Sequence, residues 1–459
     1  MKKKILISLI AIFASGFLHS VSAQVADSIV IKKISDEIFV SGQCYKNEEY
    51  LCKKIGARLT GSANAQKAVE WTRDLMKSYG FDTVYLQDVM VPYWVRGEKE
   101  VARVSSTIES TSVDIVALGG SIATPKEGIS AEIVEVTSFD ELKKMGKEKV
   151  AGKIVFYNHP FDIKMVNPFS MYREAGKYRS NGAIEAARYG AIASVVRSMT
   201  NYINDNPHTG AMGYNDSLPK IPACAISTLD AEYLSGVLKK DSKAKFFLKM
   251  NCETLPDVKS YKVIGEIKGS QYPEEIITVG GHLDSWDLAE GASDDGAGIV
   301  QSIEVLRALK KIGVKPKRTI RAVMFMNEEN GLRGGKEYAE LAKKKNEKHI
   351  MALESDNGGF TPRGISMNAS DEKRMKVKSW SKYFLTYDTY DFDGKGGGAD
   401  IGPLEKLGVP VMELRTDSQR YFLIHHTQVD TFEQVNKREL EMGAVVMTIM
   451  VYLVSEYGL

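Results

Sequence analysis

The sequence predicts an α/β protein, a mixed, largely parallel sheet flanked by helices and interrupted by an inserted second α/β segment. Three observations lead there. From about Tyr261 onward, short β-branched runs alternate with stretches of helical spacing. Acids and histidines fall just after those runs, where open α/β sheets gather ligands. Residues 108–255 differ, with short strand-like runs punctuated by Gly, Pro and Asn.

In chain order, Lys2, Lys3 and Lys4 precede an apolar run from Ile5 to Leu18, and Val21-Ser22-Ala23 follows as a small-x-small cleavage pattern. The run is shorter than the ~20 residues that span a bilayer, so residues 1–23 are expected to be a cleaved leader and the protein exported, periplasmic or secreted. No second apolar stretch of spanning length is expected after it. At 459 residues the chain exceeds one ordinary core. Its division is expected to be 24–107 with 256–459 as one discontinuous domain, and 108–255 as the insert. A formal charge of +2 with no long basic run argues against a nucleic-acid or anionic-membrane partner. Cys44, Cys52, Cys224 and Cys252 lack CxxC spacing, which disfavours a thiolate metal site. Cys44 with Cys52 and Cys224 with Cys252 are the local disulfide pairs to test, and free buried thiols are an equal alternative.

Residues 55–80 read as helical and are placed against the later sheet. Within the insert, Glu132–Val136, Lys153–Phe156 and Ala193–Val196 are strand-like, a helix runs through Ala183–Arg188, and no reaction centre is evident. Further on, Ile276–Val279, Thr319–Met326, Ile350–Leu353 and Val409–Leu414 read as strands. Ile299, Ile303, Leu306 and Leu309 recur at helical spacing up to a stop at Gly313, a polar helix spans Gly335–Lys345, and Lys437–Tyr457 is a long amphipathic helix.

No HExxH occurs, and Gly291-Ala292-Ser293-Asp294-Asp295 only approaches a GxSxG elbow. The chemistry sits in acids and histidines at loop positions. His282 is followed by Leu283 and Asp284, so a carboxylate two residues on can orient a ligating imidazole. Asp294-Asp295-Gly296 opens a helix as a cation site or an N-cap pair. Glu328 and Glu329 end an apolar strand, costly there without metal or water-filled space. Asp356 closes the next strand, and His425-His426-Thr427 precedes Asp430. His159, His208 and His349 read as structural.

The order H-x-D, D-D-G-x-G, E-E-x-G-L-x-G, a strand-end Asp and H-T-x-x-D-T resembles the M28 family of co-catalytic zinc peptidases. Gly56–Ser62, Trp94–Gly97 and Tyr421-Phe422 are similar to one exopeptidase subgroup, and the insert resembles its protease-associated domain at Gly152–Val155 and Ile221–Ala223. The resemblance implies two zinc ions per chain. Asp294 would bridge them, His282 and Asp356 would complete one site, and Glu329 and His426 the other. His426 is preferred to His425 because it stands four residues before Asp430. Glu328 would be the general base and then acid, Asp284 the partner of His282, and Asp294-Asp295 a cis peptide.

The expected activity is hydrolysis of dipeptides or short peptides. The alternatives are an aminopeptidase on longer peptides, a glutaminyl-cyclase-like enzyme, and a non-catalytic receptor or scaffold, which would show gaps in the ligand set. A dipeptide's carboxylate needs a donor, for which Lys395, Arg415 and Arg420 are candidates, while Gly397 in a glycine-rich loop and His425 are candidate substrate contacts. The expected partners are a small peptide substrate and, in a homodimer, a second copy of the chain, with no membrane anchor after leader cleavage.

Overall fold

The computed structural model describes residues 25–459, so the expected leader lies outside the described residues. Seven strands form the main sheet, in the order Thr83–Val95, Glu253–Ile267, Arg318–Phe325, Tyr272–His282, Lys348–Glu354, Val411–Thr416, Pro362–Asn368. Parallel pairing is confined to the central strands Arg318–Phe325, Tyr272–His282, Lys348–Glu354 and Val411–Thr416. Both edges pair antiparallel, so the sheet is mixed rather than largely parallel. The outer strands were missed because they are partly solvated and lack the continuous apolar run of a strand buried on both faces.

Helices cover both faces. Ala297–Lys311 is buried along its length from Ala297 to Leu309, and it packs with Lys437–Tyr457 on one face. Each fully buried Ile or Leu there contributes about 1.5–3 kcal/mol. On that side also lies Ala63–Ser78, where the Ser62 hydroxyl caps the first turn by accepting from Ala65 N–H at 3.1 Å. Arg333–Lys345 covers the opposite face through Tyr338, Ala339 and Ala342. Contrary to expectation, Lys437–Tyr457 is long and apolar enough to span a bilayer. Most of it is buried inside the protein, the position of a core helix.

Between Thr83–Val95 and Glu253–Ile267 the chain builds a second sheet of eight strands, ordered Ser110–Val113, Val101–Ser105, Lys245–Lys249, Ile129–Val136, Ile154–Tyr157, Ala193–Arg197, Ala223–Ile226, Ile115–Ala117. Val101–Ser105 pairs with Ser110–Val113 and Lys245–Lys249, so the second unit begins before residue 108. The chain passes from the first sheet to the second across residues 96–100. The insert's helix runs from Pro168 to Arg188, much longer than Ala183–Arg188, with Asn167 capping it and Pro168 in its first turn. All four cysteines are free and buried, which resolves the disulfide alternative towards small apolar residues.

Candidate metal centre

The carboxyl ends of the central strands converge on Asp294. One of its oxygens, Oδ1, lies 3.1 Å from His282 Nε2, and that imidazole nitrogen is also 3.4 Å from Asp356 Oδ1. The other, Oδ2, lies 3.2 Å from His426 Nε2, which in turn is 3.2 Å from Glu329 Oε2. Asp294 therefore faces two donor pairs with its two oxygens. The Asp294-Asp295 peptide is cis, as the resemblance implies.

Second contacts set the tautomers. His282 Nδ1 lies 2.9 Å from the carbonyl oxygen of Asp284. A carbonyl only accepts, so Nδ1 carries the proton and Nε2 turns its lone pair to the carboxylates. His426 is held the same way, with Nδ1 3.2 Å from Thr209 O. Its φ of 61° is a left-handed conformation that costs a non-glycine residue about 1–3 kcal/mol. Thr209 N–H braces it by donating to the His426 carbonyl at 2.9 Å.

The Asp284 carboxylate does not do what the H-x-D spacing suggests. Its Oδ1 is 3.9 Å from His282 Nδ1 and instead accepts from Asn327 N–H at 2.7 Å and Glu328 N–H at 3.2 Å. Oδ2 accepts from Glu329 N–H at 3.3 Å. Asp284 thus pins the loop that carries both glutamates. Asp295 is an anchor too, accepting from His282 N–H at 3.0 Å and from Gly298 N–H at 2.9 Å. Asp430 accepts from Ser293 N–H and Asp294 N–H at 2.8 and 3.1 Å. Arg58, fully buried, donates to the carbonyls of Leu283, Glu290 and Gly291 and ties the His282 and Asp294 loops together.

The electrostatics follow from many acids in a dry place. Burial pushes Asp356 and Glu328 up, and Glu329 to about 7, with neighbouring carboxylates adding to the effect. Asp294 goes the other way: despite burial, His282 and His426 hold it well below the usual carboxylate range. Burial lowers both of those imidazoles, yet the surrounding carboxylates, Asp356 at His282 and Glu329 at His426, raise them well above the ordinary value. The donor set fits a divalent cation: Asp294 Oδ2 is buried without a hydrogen bond, and the ligand atoms of His282, Asp294 and Glu329 lie within 4.8 Å of one another. Imidazole with carboxylate suits a borderline first-row ion.

His425 Nε2 lies 3.5 Å from Asp294 Oδ2, and its ring stacks on His426 at 3.6 Å between centroids. Among the described residues His426, not His425, comes within ion-pair distance of Glu329, and burial with the His426 charge pushes the His425 pKa well down. The other expected substrate contacts are not gathered here. Lys395 lines a separate surface cavity with Asn368, Arg374 and Glu405. Gly397 packs on Val411, and the loop's own N–H groups turn inward, Gly396 to Asn368 and Asp400 and Ile401 to the buried Glu354. Arg420 is committed to Glu439, and Arg415 lies 3.8 Å from Glu413. What the sequence did not disclose is the contribution of the insert. Tyr172 meets His425 edge-on at 5.0 Å, Arg179 reaches within 3.5 Å of His426 Nδ1, and Thr209 braces His426. His208, expected to be structural, is buried beside them, and burial followed by the charges of His426 and Arg179 pushes its pKa down to about 3.

A mixed sheet that gathers imidazoles and carboxylates about one aspartate at its strand ends is the construction of a metallo-exopeptidase. The chain belongs to Peptidase family M28, which matches residues 262–450. Over nearly its full length it is similar to Carboxypeptidase Q. The mouse protein is 35% identical over 455 residues, covering 97% of this chain and 94% of the relative, and the human protein is 37% identical over 412 residues, covering 90% and 85%. A crystal structure of a Peptidase M28 precursor from Shewanella amazonensis SB2B has a TM-score of 0.89 at 34% identity, covering 94% of this chain and 97% of that one. An aminopeptidase from Aneurinibacillus sp. strain AM-1 shares the fold, with a TM-score of 0.65 at 21% identity over 93% of this chain and 96% of that one.

Proposed function

We propose that this chain is an exported, co-catalytic di-zinc exopeptidase that hydrolyses dipeptides or short peptides. The observation that carries the two-ion reading is the pair of Asp294 oxygens facing His282 with Asp356 on one side and His426 with Glu329 on the other. His282 with Asp356 and His426 with Glu329, on either side of Asp294, would hold two zinc ions, which would supply acidification of a water and polarisation of the scissile carbonyl. Glu328 takes a proton from the attacking water and returns it to the leaving nitrogen. Its carboxyl group suits both roles, since burial and the charges of Asp356 and Glu329 lift its proton affinity against the pull of His282. Asp284 holds Glu328 and Glu329 in place through their backbone N–H groups.

Similarity to Carboxypeptidase Q supports the exopeptidase subclass. The inserted unit is read as a protease-associated domain, and its Tyr172 and Arg179 beside the histidines favour a short substrate. The Lys2–Lys4, Ile5–Leu18 and Val21-Ser22-Ala23 pattern supports export. The test is Glu328→Gln in zinc-loaded protein. Zinc content, measured by plasma mass spectrometry, should stay at two ions per chain while kcat on dipeptides falls by about 10²–10⁴-fold. Retained turnover would remove Glu328 from the mechanism.

A further inference from the structure

The two halves of the metal centre are braced from different places. His282 is held by the catalytic part of the chain itself, with Nδ1 on the Asp284 carbonyl and its N–H on Asp295. Glu329 and His426 are held from the inserted unit. Glu329 Oε1 accepts the Trp286 N–H at 3.1 Å, which leaves Oε2 turned to His426 Nε2. The Trp286 indole is buried in the insert's hydrophobic core, edge-on to Trp94 at 6.5 Å, and it also meets the His426 ring at 5.8 Å. Gly119 of the insert forms the floor of its seat, since a Cβ there would fall 1.8 Å from the indole. His426 leans on Thr209, whose carbonyl faces Nδ1 and whose N–H donates to the His426 carbonyl.

These two braces meet on one side chain. Arg96 is buried where the chain passes between the sheets. Its Nε and Nη2 donate to the two oxygens of Asp287, the residue next to Trp286, at 2.9 and 2.6 Å. Nη2 also reaches Thr209 Oγ1 at 3.4 Å, and Nη1 donates to the Ala117 carbonyl at 2.6 Å and to Glu100 Oε1 at 3.2 Å. The same Ala117 carbonyl accepts from the Thr209 hydroxyl at 2.8 Å. A two-pronged arginine–carboxylate contact fixes direction as well as distance. A buried ion pair that loses one member leaves the other charge uncompensated. Loss of Arg96 therefore slackens the hold on Glu329 and on His426 together.

We infer that Arg96 is a positioning residue through which the inserted unit sets the Glu329–His426 half of the metal centre, while the His282–Asp356 half stands without it. The inference rests on the two-ion reading proposed above. An arginine that merely joined two units would, when removed, loosen both halves alike or neither. Here its contacts lead to the ligands of one half, so the two halves should separate.

The experiment measures zinc content by plasma mass spectrometry on full-length protein across a series of zinc-buffered solutions. Wild type should bind two ions. Arg96→Ala should keep one at wild-type affinity and bind the other about 10–100-fold more weakly, the usual worth of a ligand's outer contacts. Arg96→Lys, a point charge without the fork, should recover part of the loss. Asp287→Ala should reproduce it, and the double variant should be no weaker than Arg96→Ala, since both act through one contact. Gly119→Ala, which unseats Trp286 and leaves Arg96 alone, should weaken the same ion. Two further variants separate this from general loosening. Leu142→Ala opens a cavity in another core of the insert and should keep both ions. His426→Ala already lacks a ligand of the ion in question, so adding Arg96→Ala should leave its remaining ion unchanged. If Arg96→Ala does not fold, Asp287→Asn serves in its place. Two tight ions in Arg96→Ala, equal weakening of both, or the same loss in Leu142→Ala overturns the inference and leaves the two-ion reading standing. A wild type that binds a single ion overturns both.

Discussion

Around the amino ends of the central strands the half-buried glutamates have basic partners. Glu275 pairs with Arg318 and Lys348, and Arg321 lies between Glu266 and Glu347. At the carboxyl ends of the same strands, Asp294, Asp356 and Glu329 have only histidines within ion-pair distance among the described residues. The acids respond in opposite directions. The hydrogen bond to Lys348 leads in holding Glu275 below the carboxylate range, and contacts to His349 and Arg321 outweigh burial to bring Glu347 to about 2. Burial and the charges of Asp356 and Asp294 push Glu354 to about 8 and Glu329 to about 7. One sheet thus carries the same residue type in two electrostatic regimes. Where the chain supplies its own cations the acids are structural; where it withholds them, the donor set calls for cations from outside.

The largest effect should come from the carboxyl end. Asp294→Ala removes the oxygens common to both donor pairs, so zinc content should fall below one ion per chain and kcat/KM by about a thousandfold or more. Two ions retained at full occupancy would show that Asp294 is not the bridge. A smaller effect is expected one contact away. Asp284→Asn keeps the shape but weakens the three N–H contacts to residues 327–329, and should cost about 10–100-fold in activity or metal affinity. Loss of metal from the His282 side alone would instead tie Asp284 to the imidazole.

At the amino end the expected effect is smallest and concerns stability. Glu347 has a depressed pKa in the fold, so its pairing stabilises fully above the ordinary value of 4.5 and fades as pH falls towards about 2. Glu347→Gln should lower Tm by a few degrees at neutral pH and make no difference near pH 2, with activity per folded molecule unchanged. A gap that widens in acid would reverse the sign and break the comparison.

The metal donors were legible because strand–loop–helix alternation places residues after apolar runs at one edge of a sheet. Strand-end position marked His282, Glu328, Glu329 and Asp356 as candidates, and the step to Asp430 marked His426, while the division into metal donors and the base Glu328 is what the family resemblance implies. Other roles were not legible. Asp284 reads as a histidine partner two residues away, but the strand Tyr272–His282 lies beside Arg318–Phe325, so its carboxylate reaches the next loop instead. Gly397 and Lys395 read as substrate contacts because a glycine-rich loop offers free N–H groups, yet that loop spends them on Asn368 and Glu354.

By itself, then, the sequence determined the central strands of the main sheet, the helices that flank them and the residue types awaiting a cation, since periodicity and loop position are local properties of a chain. Only the tertiary structure decided what stands over them. Thr209 and Arg179 meet His426 across more than two hundred residues of separation. Such contacts leave no periodic trace, because they depend on how the second sheet leans on the first rather than on the spacing of any one segment.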